Sequence, residues 1–207
     1  MVLNNTATPS TVSVPEMSQV EPGSSLRLAP IDRPKSLLVR LFNWFVRRTF
    51  GKAMMPARVI YARLPTLLWR SLPFYHLMDR GLSLEKELCN LIEVHVAGVN
   101  GCSFCHDMHL AQAMRTKTNR EKLKALGGSI ADSKVLNARE RAALVYVEEI
   151  AHAGVATDAT FAALKACFTD REIVEITWLQ AFATYLLRMA KPLGIDSDGY
   201  CALMNEG

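Results

Sequence analysis

Apolar residues recur at helical spacing through most of the chain beyond residue 82. The clearest stripe follows the 3.6-residue period of an α-helix and consists of Leu88, Leu91, Ile92, Val96 and Val99. Alternation with a period of two, which is typical of strands, is nearly absent, and its single hint is the tripeptide Val94-His95-Val96. The pattern therefore predicts an all-α fold class.

Polar residues divide this pattern into separate helices. Asn137 with Glu140, and Thr169 with Glu172, have the spacing of a capping box, in which side chains satisfy two free backbone N–H groups at a helix start. Ser83 is a further candidate helix start, because acidic residues follow it near the positive end of the helix dipole. Breaks between helical segments are predicted at Gly127-Gly128, at Gly154 and at Pro192 with Gly194.

Composition divides the chain into three parts. Residues 1–34 lack hydrophobic periodicity and are rich in Pro, Ser, Thr and Gly, so we expect a disordered polar tail there. Residues 35–60 form a basic amphipathic segment, and residues 61–207 form the main helical domain.

Within the basic segment, Ser36 to Phe50 is predicted to be an amphipathic helix. Nine basic side chains and no acidic one lie between Arg33 and Leu77. Such a helix either packs its apolar stripe on its own core or on another subunit, or it lies on an anionic membrane surface or binds a partner. The first alternative is the simpler one, and membrane contact through residues 36–50 stays open.

Composition argues against several classes of protein. Half of the residues are apolar, which is enough for a substantial core. The best candidate for a membrane span, Ile176 to Leu187, is bracketed by Glu175 and Arg188 and is shorter than the ~18 residues of a membrane-spanning helix. The N-terminus does not have the pattern of a secretory signal, so we expect a cytoplasmic protein. The net charge is only +4 and no nucleic-acid-binding motif accompanies it, so no nucleic-acid partner is expected.

Two of the five cysteines form the pattern that bears most on function. Cys102 and Cys105 are a C-x-x-C pair that directly follows the turn dipeptide Asn100-Gly101. On a helix starting at this turn, Cys102, Cys105 and His109 share one face, within an arc of about 60°. The helix start stabilises a thiolate, and His109 can exchange a proton with Cys105. This pattern favours a dithiol in which one sulfur attacks an electrophile and the other closes a disulfide.

Other chemistry is compatible with the same pair. A zinc site would need further ligands, and His76, His95 and His152 are isolated. The sequence Cys102-x-x-Cys105-His106 is also the pattern of c-type haem attachment, which usually needs an exported chain. A thioredoxin-like site would need strands, and a buried, inert pair is a further alternative. We expect neither metal nor cofactor. The remaining cysteines are expected to be small buried hydrophobes, namely Cys89, Cys167 and Cys201.

The segment around the cysteine pair resembles the carboxymuconolactone decarboxylase superfamily. The signature of its AhpD-like alkylhydroperoxidase branch is N-G-C-x-x-C-x-x-x-H, and residues 100–109 match it at each fixed position. The resemblance continues through residues 138–144, 169–175 and 187–190, so that it covers roughly residues 60–195.

This resemblance implies an AhpD-like helical bundle with the C-x-x-C pair at the N-terminus of a core helix. Members of this branch assemble into homo-oligomers and reduce peroxides without metal or haem. By analogy, Cys105 would be the peroxidatic thiolate, which is oxidised to a sulfenic acid. Cys102 would be the resolving thiol, and His109 would relay the proton.

The chain departs from the family pattern at one position of the relay. In characterised members a glutamate twelve residues before the first cysteine completes the relay, and Asn90 stands there in this sequence. Glu93 and Glu87 each lie three residues from Asn90, and we expect Glu93, the nearer to the turn, to take the role. His106 and Asp107 are predicted to be surface residues, because they point away from the cysteine face.

The sequence thus predicts a peroxiredoxin-type antioxidant oxidoreductase that reduces organic hydroperoxides through a dithiol–disulfide cycle. A thiol or a lipoyl-type compound is the expected reductant. The alternative is a disulfide reductase, or a redox-sensing or binding protein, in which Asn90 weakens the relay. Lactone decarboxylation fits poorly, because that branch of the superfamily does not use the cysteine pair.

Overall fold

The computed structural model describes residues 26–201, and each secondary-structure element in that range is helical, which confirms the predicted fold class. The α-helices in this range are α1 (Leu37–Phe50), α2 (Pro65–His76), α3 (Lys86–Val99), α4 (Ser103–Arg115), α5 (Arg120–Ala125), α6 (Ala138–Ala153), α7 (Asp158–Lys165) and α8 (Asp170–Ala190). Two π-helical turns, Ala57–Tyr61 and Leu77–Gly81, flank α2, and a short 3-10 turn, Lys191–Leu193, follows α8. Among residues 26–201, no helix has the length and apolar content needed to cross a bilayer.

Side-chain caps start the helices at most of the predicted positions. Asn137 and Glu140 form a complete capping box at α6, and Thr169 and Glu172 form another at α8. Ser36 caps α1 by accepting a hydrogen bond from a backbone N–H of the first turn. These caps depend on residues three positions apart, which is why the sequence alone predicts them.

Ser83 is the exception, because α3 begins at Lys86 and Glu85 precedes it. The N–H and the hydroxyl of Ser83 both donate to the Glu175 carboxylate of α8, each over 2.8 Å. The prediction of a helix start at Ser83 was therefore wrong, since a residue distant in sequence takes up its hydrogen-bonding groups.

Helix α3 is the centre of the fold and packs against α4, α6 and α8. Its residues 88–97 are all buried, including the polar residues Asn90, Glu93 and His95. His95 lies 3.2 Å from a carboxylate oxygen of Glu148 on α6. Because buried polar groups are costly without partners, such bonds fix the position of α3 relative to its neighbours.

The N-terminal segments share this core. Residues 1–25 of the predicted tail lie outside the described residues. Residues 26–34 contact the helices, for example through a 3.1 Å hydrogen bond from the N–H of Arg27 to the carbonyl of Leu193. In α1, Val39 is fully buried in the same hydrophobic cluster as the later helices. One core therefore extends from the basic segment into the rest of the described chain.

Candidate functional site

A tight turn between α3 and α4 places the cysteine pair. Asn100 ends α3, and Gly101 has a φ of +58°, a left-handed conformation that favours glycine. The N–H of Cys102 then donates to the Ala97 carbonyl over 3.0 Å. Cys102 is the N-cap residue of α4. It therefore lies one position before the first helical turn, whereas the sequence predicted it within that turn. Its sulfur accepts a 3.4 Å hydrogen bond from the N–H of Cys105.

The two thiols differ in acidity because they hydrogen-bond to each other. The S–H of Cys105 donates to the Cys102 sulfur, and together with the Cys105 N–H and the charges of His109 and Lys191 it lowers the pKa of Cys102 to about 7. The same hydrogen bond, together with burial, raises the pKa of Cys105. When the pair loses a proton, the negative charge therefore rests on Cys102, at the positive end of α4.

His109 and Glu93 are in direct contact. The Nδ1 atom of His109 lies 3.0 Å from Oε2 of Glu93, whose side chain is only 4% exposed. Because Nδ1 is hydrogen-bonded to Glu93, Nε2 is the ring nitrogen left to accept or donate a proton. Within the described residues, the second Glu93 oxygen, Oε1, is buried without a hydrogen-bond partner.

The other two relay candidates have different partners. Glu87 forms a 2.7 Å ion pair with Lys122 and accepts a hydrogen bond from the N–H of Asn119. Asn90 is buried, and its amide donates to the hydroxyls of Thr116 and Thr118 over 2.7 and 2.8 Å. The structure thus brings Glu93, and not Glu87 or Asn90, against His109.

Cys105, His109 and Glu93 line the same cavity, whose volume is about 550 Å³. Cys102 is not part of the cavity wall. The remaining lining is mostly apolar and aromatic and comes from α1, α2, α4, α8 and both π-helical turns, with Lys86 of α3 and Met54 of the segment after α1. A cavity of this size and character is typical of a site for a small organic molecule.

Two tyrosines in the cavity wall were not identified from the sequence. The hydroxyls of Tyr61 and Tyr75 are hydrogen-bonded to each other, and both residues line the cavity. Burial, Tyr61 and the nearby Cys105 raise the pKa of Tyr75, which keeps its hydroxyl protonated. One proton of the pair makes the mutual bond, so the other is free to donate to a ligand.

Lys191 is a further residue of the site that was not identified from the sequence. Its Nζ donates to the Asn100 carbonyl over 2.8 Å, at the turn that precedes the cysteine pair. The charge of its ammonium group favours the thiolate form of both sulfurs, although the hydrogen bond to Cys102 and burial raise the pKa of Cys105 overall. Lys191 follows α8 and reaches this turn only in the folded chain, so no local signal could have identified it.

The two residues after Cys105 differ in their environment. His106 is exposed, as predicted. Asp107 is buried, contrary to the prediction, because its carboxylate accepts hydrogen bonds from the N–H groups of Tyr200 and Cys201, each over 2.8 Å. Asp107 therefore fixes the C-terminal end of the described chain against α4.

Metal-ligating side chains do not cluster in this part of the molecule. Within residues 26–201, no group of three or more His, Cys, Asp or Glu side chains is arranged to hold a metal ion. The residues present around Cys102 and Cys105 therefore do not fit a zinc site of the kind considered above.

The fold and the site together define a helical protein with a C-x-x-C pair at the N-terminus of a core helix. The model of the carboxymuconolactone decarboxylase family matches residues 66–149, from α2 into α6. No curated protein matches the chain. A solved structure of an Agrobacterium tumefaciens protein of unknown function is 28% identical, with a TM-score of 0.61 over 68% of this chain and 97% of its own. Its name describes it as an antioxidant defence protein, AhpD.

Two further solved structures share the fold over more of the chain. An uncharacterised peroxidase-related protein from Silicibacter sp. TM1040 is 20% identical, with a TM-score of 0.75 over 90% of this chain and 100% of its own. A variant of the debrominase Bmp8, in complex with 2,3,4-tribromopyrrole, is 19% identical, with a TM-score of 0.74 over 88% of this chain and 97% of its own. The family model and the Agrobacterium protein support a resemblance of this chain to the carboxymuconolactone decarboxylase superfamily and its AhpD-like branch. The debrominase shows that this fold serves more than one activity.

Proposed function

We propose that the protein is a thiol-dependent peroxidase that reduces organic hydroperoxides through Cys105 and Cys102. The observation that carries the proposal is the position of Cys105 in the wall of an apolar cavity that also contains the hydrogen-bonded pair His109 and Glu93. A sulfur nucleophile and a group able to transfer a proton thus face the same space.

In the first step the proton between the two sulfurs moves from Cys105 to Cys102, which leaves the thiolate on Cys105. This thiolate attacks the terminal oxygen of the hydroperoxide, the O–O bond breaks, and Cys105 becomes a sulfenic acid. His109 supplies the proton that converts the departing alkoxide into an alcohol, and Glu93 orients its ring. The tyrosine hydroxyl that is free to donate can hydrogen-bond to an oxygen of the hydroperoxide. The Glu93 oxygen that lacks a partner can accept a hydrogen bond from the hydroperoxide O–H.

In the second step the Cys102 thiol attacks the sulfenic sulfur of Cys105. A disulfide forms, and the sulfenic oxygen leaves as water with the proton of Cys102. Two thiols and one hydroperoxide thus give one disulfide, one alcohol and one water. An external thiol or dihydrolipoyl compound then reduces the disulfide, and it is oxidised in turn.

The proposal is tested by mixing the reduced full chain with cumene hydroperoxide and measuring the rate of peroxide loss. We expect a rate well above that of free cysteine, and we expect Cys105→Ser to abolish the reaction. Cys167→Ser is the matched control and should react like the wild type, because Cys167 is half-buried and lies outside the cavity wall. Full turnover by Cys105→Ser would overturn the proposal.

The same assay addresses the alternative of a disulfide reductase or a redox-sensing protein. In that case the rate with hydroperoxide would be no better than that of free cysteine. A small-molecule disulfide would nevertheless oxidise the Cys102–Cys105 pair, because thiol–disulfide exchange needs the Cys102 thiolate but no proton relay.

A further inference from the structure

The outer face of α1 carries a stripe of large apolar side chains in solvent. Their exposed fractions are 76% for Leu37, 63% for Leu41, 61% for Trp44 and 59% for Phe45. Positions i, i+4, i+7 and i+8 lie on one side of a helix. Single exposed apolar residues are ordinary, but a contiguous stripe of this kind marks an interaction surface.

Arginines border this stripe. Arg40, Arg47 and Arg48 are exposed on the same helix, and none of them forms an ion pair within the described residues. The sequence from Arg33 to Leu77 contains no acidic residue. A helix with apolar residues on its outer face and long cationic side chains beside them fits the boundary between lipid headgroups and acyl chains.

The inner face of the same helix forms part of the cavity wall. Phe42, Val46 and Phe50 line the cavity from α1, and so does Phe45, which is also more than half exposed. Phe45 thus belongs both to the wall of the cavity that contains Cys105 and to the exposed apolar stripe.

We propose that the outer face of α1 lies in the surface of an anionic phospholipid membrane and that the cavity takes acyl-chain hydroperoxides from it past Phe45. The membrane part stands on the stripe and its arginines. The substrate class rests, in addition, on the proposed peroxidase function. The arginines are complementary to anionic headgroups, and the apolar stripe is complementary to the acyl region.

A second copy of this chain is the competing occupant of the stripe. In a symmetric pair, α1 would pack against its own copy and bring Arg40, Arg47 and Arg48 close to identical arginines. No acidic side chain on α1 would compensate this repulsion. The charges therefore favour an anionic membrane over a symmetric dimer at this face.

Co-sedimentation of the full chain with vesicles tests the membrane part. We expect binding to vesicles of equal parts phosphatidylcholine and phosphatidylglycerol, and much weaker binding to phosphatidylcholine alone. The double variant Leu41→Ser/Trp44→Ser should lose about tenfold or more in affinity, because it removes two side chains that enter the lipid. Neither residue lines the cavity.

The control is Val174→Ser on α8, whose side chain is exposed to a similar extent, at 66%, and should not affect vesicle binding. Equal affinity of wild type and double variant for anionic vesicles would overturn the proposal. So would the absence of vesicle binding combined with a concentration-dependent dimer that the double variant abolishes.

Activity with two substrates separates this inference from the proposed function. The double variant should reduce water-soluble tert-butyl hydroperoxide at the wild-type rate, but a phospholipid hydroperoxide in anionic vesicles about tenfold more slowly. If the wild type binds vesicles but reduces neither hydroperoxide, the proposed function fails and the membrane surface stands. If the wild type and the double variant reduce the phospholipid hydroperoxide in vesicles equally fast, the proposal that substrate enters from the membrane is overturned.

Discussion

Glu93 and Glu87 lie on the same buried helix, but only Glu93 meets His109. We therefore predict that Glu93→Gln slows the reduction of hydroperoxide by roughly ten- to hundredfold, because the neutral amide no longer supports a charged imidazole during proton transfer. Glu87→Gln is the matched control, and it should lower stability through the lost ion pair with Lys122 without changing the rate. Single-turnover kinetics on both variants decide the question, and equal rates for the two would exclude a relay through Glu93.

The hydrogen bond between the two thiols leads to a prediction about pH. In the reduced protein a thiolate should appear with a pKa of about 7 at Cys102. Alkylation should therefore accelerate as the pH rises through this value. Burial raises the pKa of Cys89 to about 12, so that thiol does not contribute near neutrality.

Two substitutions of Cys105 test the cause of this shift in a Cys167→Ser background. Cys105→Ala removes the S–H donor and should raise the pKa of Cys102, whereas Cys105→Ser keeps a hydroxyl donor and should raise it less. The pH dependence of thiolate absorbance measures both. An unchanged pKa in Cys105→Ala would show that the helix terminus and Lys191 account for the acidity without the second thiol.

Residue types and spacing made part of the site predictable. The motif from Asn100 to His109 is local, and it correctly predicts the turn and the helix after it. The sequence also favoured Glu93 because of its position on α3. Lys191 and the tyrosine pair come from other segments of the chain, so only the folded structure brings them to the dithiol.

At the scale of elements, the carboxylate of Glu175 joins α8 to the segment that precedes α3. Burial alone would raise the pKa of this group, but hydrogen bonds from Arg171, Ser83 and Leu84 lower it below its ordinary value of 4.5. A lowered pKa in the folded state contributes stability that is present above pH 4.5 and is lost as the pH falls through the folded-state value.

We predict that Glu175→Gln lowers the free energy of unfolding at neutral pH by about 1–2 kcal/mol, because a neutral acceptor replaces a charged one. Below pH 4.5 the variant should lose less stability with falling pH than the wild type. Asp170→Asn, at a side chain that is 89% exposed, is the control and should leave both quantities nearly unchanged. Urea unfolding across the acid range measures them, and parallel curves for Glu175→Gln and wild type would refute the assignment.

The elements also show where local patterns suffice and where they fail. Both capping boxes formed as predicted, since each depends on residues three positions apart. Ser83 and Asp107 were misjudged for one common reason. Their hydrogen-bonding partners lie more than ninety residues away along the chain. The residues next to Ser83 and Asp107 in the sequence therefore do not indicate these partners.

At the scale of the whole molecule, the cavity is the feature that the sequence did not predict. Its wall combines side chains from α1, α2, α3, α4, α8 and the π-helical turns. The amphipathic pattern of α1 predicted a helix, and its burial of Val39 agrees with packing on the protein's own core. The pattern did not show that the same helix would close a cavity on one face and expose an apolar stripe on the other.

The central claim is that Cys105 and Cys102 form a peroxidatic dithiol. The most direct measurement is to treat the reduced full chain with one equivalent of an organic hydroperoxide, and then to quantify the alcohol and map the disulfides by mass spectrometry. The account predicts one alcohol and one Cys102–Cys105 disulfide for each hydroperoxide consumed. Loss of hydroperoxide while both cysteines remain thiols, or a disulfide that involves Cys89, Cys167 or Cys201 instead, would contradict it.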